Sequence, residues 1–395
     1  MPAFHIIGLH HTIPDDRFSA CAFTGKIQRL PAVLRQAYNH PSVTIYCAGE
    51  PDLGDCGEYV TVRSEAELKH NFGTSTEQIA ARYAELCNNE PSRAEFEEDL
   101  IPHLRRRVED GDFILHPFGG AHRGLLKRFP TAIHVESGIG YMSGPFGAYR
   151  IFESEAWRHW HFGRFHDARD GYTSAMVGSG LRGPDAYDNT FVAANYYNTA
   201  DWDLGTGEGD YVLFAGRIDP CKGIDVVAEL ARRMPTTRFV IAGGPAENVE
   251  RFVGTPVDKY DDGDEAGGYA LPDNVEYVGT VRGRDRSALY GNARCVVMPS
   301  RFCEPFAGVA AEAALCGTPV LAPPVGAFTD GRPVVHCRSV TDYECAIADL
   351  ARNQRLEAHT MLARTHTQAQ ARALFSYEAV GKQYRRAFDA LAKRP

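Results

Sequence analysis

Short runs of apolar, largely β-branched and aromatic residues alternate with stretches of helical period along the whole chain. In the first half, residues 5–9, 43–48, 59–62, 113–116 and 132–136 read as strands; in the second half, 212–215, 238–242, 275–278, 295–299 and 320–322 do so. Helical spacing falls between most of them, over 75–87, 92–108, 224–234, 284–293 and 305–316. Such alternation predicts an α/β protein of parallel, doubly wound sheets, and two sets of strands predict two domains. The Gly-rich acidic stretch 201–210 reads as the boundary, giving domains 1–205 and 206–375. The last stretch, 376–393, places Tyr377, Val380, Tyr384, Phe388 and Leu391 on one helical face.

Composition narrows the class. At 395 residues there is room for two domains, and 44% apolar with 24% charged residues is ordinary for a soluble globular protein. No apolar run is long enough for a membrane span, the N-terminus lacks a signal-peptide pattern, and no basic amphipathic helix announces a membrane anchor. Ten cysteines without a Cys-x2-Cys pair argue against a zinc site and a disulfide framework, and point to a reducing cytoplasm. The net charge of −9 disfavours a nonspecific nucleic-acid coat but leaves room for a local basic face. Residues 258–268 are an acidic insertion, read as a solvated loop in preference to a cation site.

The chemistry concentrates in the second half. Glu304-Pro305-Phe306-Ala307-Gly308-Val309-Ala310-Ala311-Glu312 spans an expected loop-to-helix junction, with Pro305 suited to the first helical turn and Gly317 to the helix end. Amides at Phe306, Ala307 and Gly308 would then point out of the terminus, where a diphosphate is a natural guest. Upstream, the strand ending at Ala215 runs into Gly216-Arg217-Ile218-Asp219-Pro220-Cys221-Lys222-Gly223, with a helix expected from about Lys222. Arg217 and Lys222 thus stand at the carboxyl end of a strand, where open α/β sheets bind ligands. Two fixed cations there could neutralise a diphosphate leaving group without a metal. Read singly, each of the four charged residues is an ordinary surface or cap residue.

Together, Gly-Arg-x4-Lys-Gly at 216–223 and Glu-x7-Glu at 304–312 resemble the donor signature of the family 4 retaining glycosyltransferases, which have the GT-B fold. The resemblance covers roughly residues 211–325 and is weak over the first half. It departs at Ala307, where the family usually has glycine; Gly308 follows, and a small shift of the phosphate turn is expected. The resemblance implies two Rossmann-like domains facing a cleft, with the last helix (376–395) crossing back to the first, acceptor-binding domain. It implies that Glu312 holds the ribose of a nucleoside-diphosphate sugar and Glu304 hydroxyls of the transferred sugar. Gly216, Arg217, Lys222 and residues 304–309, including Val309, would hold the donor, with the nucleobase near Val281. No metal and no further cofactor are expected, and UDP-glucose is the first guess for the donor.

In the first half the residues admit two readings each. His116 ends a strand before Gly119-Gly120; it is a donor-sugar contact by the resemblance or a structural histidine. Glu136, with Gly138 and Tyr141 after it, is the one carboxylate at its strand edge and a candidate to orient the acceptor hydroxyl. His10 and His11 would face the cleft; adjacent positions on a strand point to opposite faces, so they are not a metal pair. The run 149–166 interleaves aromatics with Arg and His. It is either a helix burying one face or an acceptor platform through Arg150 and Trp157, where rings stack and cations meet phosphate. The platform reading slightly favours a phosphate-containing acceptor, such as a hydroxymethylated DNA base modified by phage-type relatives in a host cytoplasm. The expected activity is metal-independent, retaining hexosyl transfer to a hydroxyl. The rivals are a GT-B nucleotide-sugar epimerase, needing acid/base carboxylates around the sugar, and a non-catalytic sugar-nucleotide-binding module.

Overall fold

The computed structural model describes residues 2–393 except 19–20, 52–55, 87–88, 143–144, 167–187, 254–271 and 354–356. The acidic insertion 258–268 lies outside the described residues. The chain forms two compact units, Met1–Tyr196 with Tyr377–Pro395, and Tyr197–Ser376.

The first unit holds seven parallel strands: β1 (Phe4–Ile7), β2 (Val43–Ala48), β3 (Glu58–Arg63), β4 (Phe113–Leu115), β5 (Ile133–Ile139), β6 (Tyr149–Phe152) and β7 (Thr190–Val192), in the order β3-β2-β1-β4-β5-β6-β7. All of β1 and β2 is buried, as expected of strands covered on both faces. Alternation sorts their side chains: Phe4, Ile6, Val43 and Ile45 enter one core, and Ile7 and Tyr46 the other. The helix Ala22–Ala37 covers the first core together with the terminal helix Tyr377–Leu391, whose Val380, Tyr384, Phe388 and Leu391 are buried there. The last helix therefore packs on the first domain, as the resemblance implied. Helix Glu90–Arg105 covers the second core with Phe96, Leu100 and Leu104.

The second unit holds six parallel strands: β8 (Tyr211–Arg217), β9 (Arg238–Gly244), β10 (Val275–Gly279), β11 (Cys295–Val297), β12 (Val320–Ala322) and β13 (Val335–His336), ordered β10-β9-β8-β11-β12-β13. The chain winds outward from β8 through β9 to β10, then returns to β11 on β8's other side. The carboxyl ends of β8 and β11 consequently flank a topological switch point, where the loops diverge and leave a crevice.

Several expectations change. Residues 149–152 are a strand, and only Glu155–His166 of the aromatic run is helical. The helix expected from Pro305 begins at Gly308, because Ala307 takes a left-handed conformation and cannot continue a helix backwards. The stretch 201–210 is not a free linker but lies wholly in the second unit and is docked there. Gly205, Gly207 and Gly209 donate their amides to Cys316, Gly291 and Asn292 at 2.9–3.0 Å. A β-carbon on Gly205 would stand 2.0 Å from the Gly291 carbonyl oxygen, so only glycine permits this approach.

Arg364 fastens the arrangement. Buried in the helix Glu357–Phe375, it donates to the carbonyls of Gly291 and Ala293 and to Thr318 Oγ1 at 2.5–3.1 Å, with no carboxylate partner among the described residues. Arg364→Met keeps the stem and withdraws every donor, orphaning buried carbonyls. A loss of about 2–4 kcal/mol is expected, read as a lower urea midpoint at unchanged m; a shift below about 0.5 kcal/mol would show that the carbonyls find other donors.

Candidate functional site

β8 delivers the first cation. Its burial fades from Ala215, Gly216 takes a φ of 139°, and Arg217 emerges exposed. Asp219 then caps the single 3-10 turn Pro220–Lys222 by accepting from the Cys221 amide at 2.8 Å. Gly223 closes the turn at φ 74°, with Pro299 so near that a β-carbon would lie 2.1 Å from its carbonyl oxygen. This brings the loop after β8 onto the loop after β11, and the Arg301 amide donates to the Cys221 carbonyl at 2.8 Å.

The contact joins two motifs that lie far apart in sequence. Lys222 Nζ donates to Glu304 Oε1 at 2.7 Å, and Ser300 Oγ donates to the same oxygen at 2.6 Å. Lys222 also sits 4.4 Å from the centre of the Phe302 ring, a cation–π contact. Arg301 ion-pairs with Asp225, and the Ala327 amide donates to the Glu304 carbonyl at 2.9 Å, so the loop carrying Glu304 is held from both sides. A cavity of about 150 Å³ opens here, lined by Gly216, Arg217, Lys222, Ser300, Glu304 and the helix start at Ala307, Gly308 and Val309.

Helix Gly308–Leu315 therefore begins at the cavity wall. Ala307 is its N-cap, at φ 59° and ψ 62°, with no side-chain cap. First-turn amides have no intrahelical acceptor, so the positive end of the helix is turned to the same space as Arg217 and Lys222. Pro305 and Phe306 precede the helix; neither lines the cavity. Glu312 lies one turn farther along. Its Oε2 accepts from the Tyr290 hydroxyl at 3.1 Å, and its Oε1 stands 3.7 Å from Arg286. Tyr290 is buried and its hydroxyl pushed well above the usual phenol range, mainly by burial; Glu312 is the main cause holding Arg286 protonated. Val281 is half-buried between β10 and helix Gly283–Asn292 and does not line the cavity.

The first-domain candidates form a different picture. Glu136 is buried, and its oxygens are taken by its own loop: Oε1 by the Tyr141 hydroxyl at 2.6 Å, Oε2 by the amides of Phe146 and Gly147 at 2.9 and 2.8 Å. The role assigned to it as an acceptor-orienting group is thus corrected: it clamps the loop, with Tyr141 bound to it. Arg150, fully buried in β6, lies 3.8 Å from Glu136, and desolvation brings its guanidinium down to about 10. Trp157 is buried and stacked on Trp160 at 4.4 Å. The acceptor platform through Arg150 and Trp157 is therefore corrected to core packing; strand placement hid what periodicity alone read as a helix face.

The histidines are likewise inside. His116 and His134 share a 2.9 Å hydrogen bond and stack; burial pushes His116 well below its usual range, so it is neutral. His10 and His11 are buried rather than open to a cleft, with His11 lowered to about 3 by desolvation. Gly138, at φ 75°, presents its carbonyl to Lys26 at 2.8 Å, and Lys26 pairs with the buried Glu153. No cluster of three or more metal-ligating side chains occurs among the described residues. Sequence reasoning missed Ser300, Phe302, Tyr290 and Arg286. The i, i+4 spacing of Arg286 and Tyr290 marks one helix face, but only the fold shows that Glu312 meets it.

Residues 199–331 match the family model described as glycosyl transferases group 1. D-inositol 3-phosphate glycosyltransferases are similar in sequence. That of Mycobacterium leprae (strain TN) is 34% identical over 134 residues, 34% of this chain and 29% of the relative. That of Mycobacterium marinum is 31% identical over 190 residues, 46% of this chain and 39% of the relative. The chain thus spans well under half the length of these relatives. Solved structures share the fold across the whole chain: Thermosynechococcus elongatus sucrose-phosphate synthase (TM-score 0.62, 16% identity, 99% of each chain) and Anabaena HepE in complex with UDP and glucose (TM-score 0.58, 14% identity, 98% of this chain and 100% of that one). The architecture is that of the GT-B glycosyltransferases: two parallel-sheet Rossmann-like domains.

Ala307 offers a direct test of the left-handed turn that opens the helix. A left-handed conformation costs a residue with a β-carbon about 1–2 kcal/mol, while glycine's freedom in the unfolded chain costs about 0.4–1 kcal/mol. Ala307→Gly should therefore stabilise the protein by roughly 0.5–1 kcal/mol, measured by denaturant unfolding. Destabilisation would mean that Ala307's methyl packing outweighs its strain.

Proposed function

We propose that this protein is a retaining glycosyltransferase that moves a hexose, glucose first to be tried, from a nucleoside-diphosphate sugar to a hydroxyl acceptor. One observation carries the reading: Arg217, Lys222, Glu304 and the start of helix Gly308–Leu315 converge on one cavity at the switch point of the second domain. Two cations beside a helix N-terminus suit a diphosphate, and a carboxylate beside them suits sugar hydroxyls. Similarity to the group 1 family over this segment supports the donor class, and a complex with UDP and glucose on a like fold makes UDP-glucose the first donor to test.

The reaction breaks the bond between the anomeric carbon and the diphosphate oxygen and forms one to the acceptor oxygen. The electron pair leaves with the diphosphate, and the acceptor proton passes to a phosphate oxygen. Arg217, Lys222 and the helix terminus stabilise the charge growing on the leaving group, which is the largest contribution such a site can make. Glu304, anchored by Ser300, fixes the sugar so that its anomeric carbon faces the acceptor. The retaining outcome follows the family resemblance. These fixed charges do the work that a divalent cation does elsewhere, so no metal is required by this mechanism. A DNA acceptor gains no support from Arg150 and Trp157, which are buried.

Arg217→Ala and Lys222→Ala should each lower the transfer rate about 10²–10³-fold, with the unfolding midpoint unchanged for the exposed Arg217 and lowered for Lys222, whose loss leaves the buried Glu304 carboxylate without its cation. The assay is release of nucleoside diphosphate from UDP-, GDP- and dTDP-sugars across small-molecule, polysaccharide, lipid and DNA acceptors. Unchanged rates in the folded double variant would sink the diphosphate assignment. Activity should also persist in excess EDTA; complete loss restored by Mg²⁺ would reveal a cation requirement, with 258–265 the first segment to probe.

A further inference from the structure

Glu304 at the cavity and Glu312 one turn into the helix are each held through a single carboxylate oxygen. Glu304 receives both of its protein bonds, from Ser300 and Lys222, on Oε1; no donor among the described residues bonds its Oε2. Glu312 receives the Tyr290 hydroxyl on Oε2, while its Oε1 has only Arg286 at 3.7 Å, beyond hydrogen-bond length. Each carboxylate is thus pinned through one oxygen by a hydroxyl from outside helix Gly308–Leu315, joined in Glu304 by Lys222, and presents the other oxygen unfilled. The terminal torsion of a glutamate is broad, so without such a pin the carboxylate plane would be undefined.

The hydroxyls are themselves fixed. Ser300 is buried three residues after β11. Tyr290 is buried in helix Gly283–Asn292, its ring 6.2 Å from Trp202, and its carbonyl accepts from Thr318 Oγ1 at 2.8 Å. Thr318 is bonded in turn to Arg364, so the pin on Glu312 is tied to the interior of the domain.

We infer that Ser300 and Tyr290 are positioning residues that divide donor recognition between them: Tyr290 aims Glu312 at the vicinal hydroxyls of the nucleotide ribose, and Ser300 aims Glu304 at hydroxyls of the transferred sugar. The inference rests on the donor reading above. Neither residue touches the reacting atoms. Each removes rotational freedom from a carboxylate whose open oxygen then accepts sugar O–H groups, and a hydrogen bond to a charged group supports a factor on the order of ten in affinity or rate.

The test uses Tyr290→Phe and Ser300→Ala, each deleting one oxygen, in the full chain. Calorimetry measures binding of the tightest of UDP, GDP and ADP, its 2′,3′-dideoxy analogue and its glucose-bearing form; turnover is followed as donor hydrolysis. Tyr290→Phe should weaken the nucleotide and its sugar form alike, about tenfold, and leave the dideoxy analogue unchanged. Ser300→Ala should leave the bare nucleotide within about twofold and lower kcat and the affinity gained from the sugar about tenfold. Equal losses on every probe, or a change in unfolding midpoint alone, would overturn the division while leaving the donor site standing. A wild-type protein that binds none of the nucleotides would overturn the donor reading and this inference with it.

Discussion

Gly223 meets the Pro299 carbonyl at a distance no other residue could tolerate, and the assembly of the candidate site in the second domain depends on that approach. In a parallel sheet that reverses its winding at β8, the loops after β8 and β11 leave in opposite directions. Nothing in the sheet itself forces them together. The left-handed turn at Gly223 folds Lys222 back across the crevice, and Arg301 donating to the Cys221 carbonyl holds the two loops in register. Only then can Lys222 reach Glu304, a residue 82 positions later in the chain. The pair is partly buried, so each charge compensates the desolvation of the other. The Ser300 hydroxyl lowers that burden further by satisfying the carboxylate from the protein side.

Much of this was legible from the sequence because the informative features are local. Strands covered on both faces are apolar runs, so β1, β2, β8, β9 and β11 stand out. Arg217 and Lys222 follow one such run within a single turn, and Glu304 and Glu312 share one junction. The strands that escaped notice were short or carried a charge: β6 contains Arg150, β7 has three residues and β13 two. Helix Ala22–Ala37 was hidden by Gly25 and Pro31 within it. The start of helix Gly308–Leu315 slipped because proline preference said Pro305, whereas the left-handed Ala307 sets the boundary.

What the sequence could not supply was partnership across elements. Ser300 with Glu304 and Tyr290 with Glu312 are side-chain meetings decided by the packing of helices on a sheet. The stretch 201–210 shows the same limit in the other direction. Its glycines and acids have the composition of a linker, yet each glycine amide finds a carbonyl, and the glycines are needed for close packing rather than for freedom. Composition reports the absence of side chains; it does not report whether another backbone occupies the space they leave.

The first domain explains why polar residues at strand ends are ambiguous. A charge removed from water must be matched by donors or acceptors, and the interior can provide them as readily as a ligand can. Glu136 receives three donors from its own loop, and Lys26 is satisfied by Glu153 and the Gly138 carbonyl. These groups have the residue types and positions of a catalytic edge, but the protein has already filled their valences. In the second domain the balance differs: Arg217 is exposed at the cavity, the first amides of helix Gly308–Leu315 lack intrahelical acceptors, and Glu304 keeps one oxygen open. Residual hydrogen-bonding capacity directed into a shared space, and not charge or strand-end position alone, is what separates the candidate site from the buried networks that resemble it in sequence.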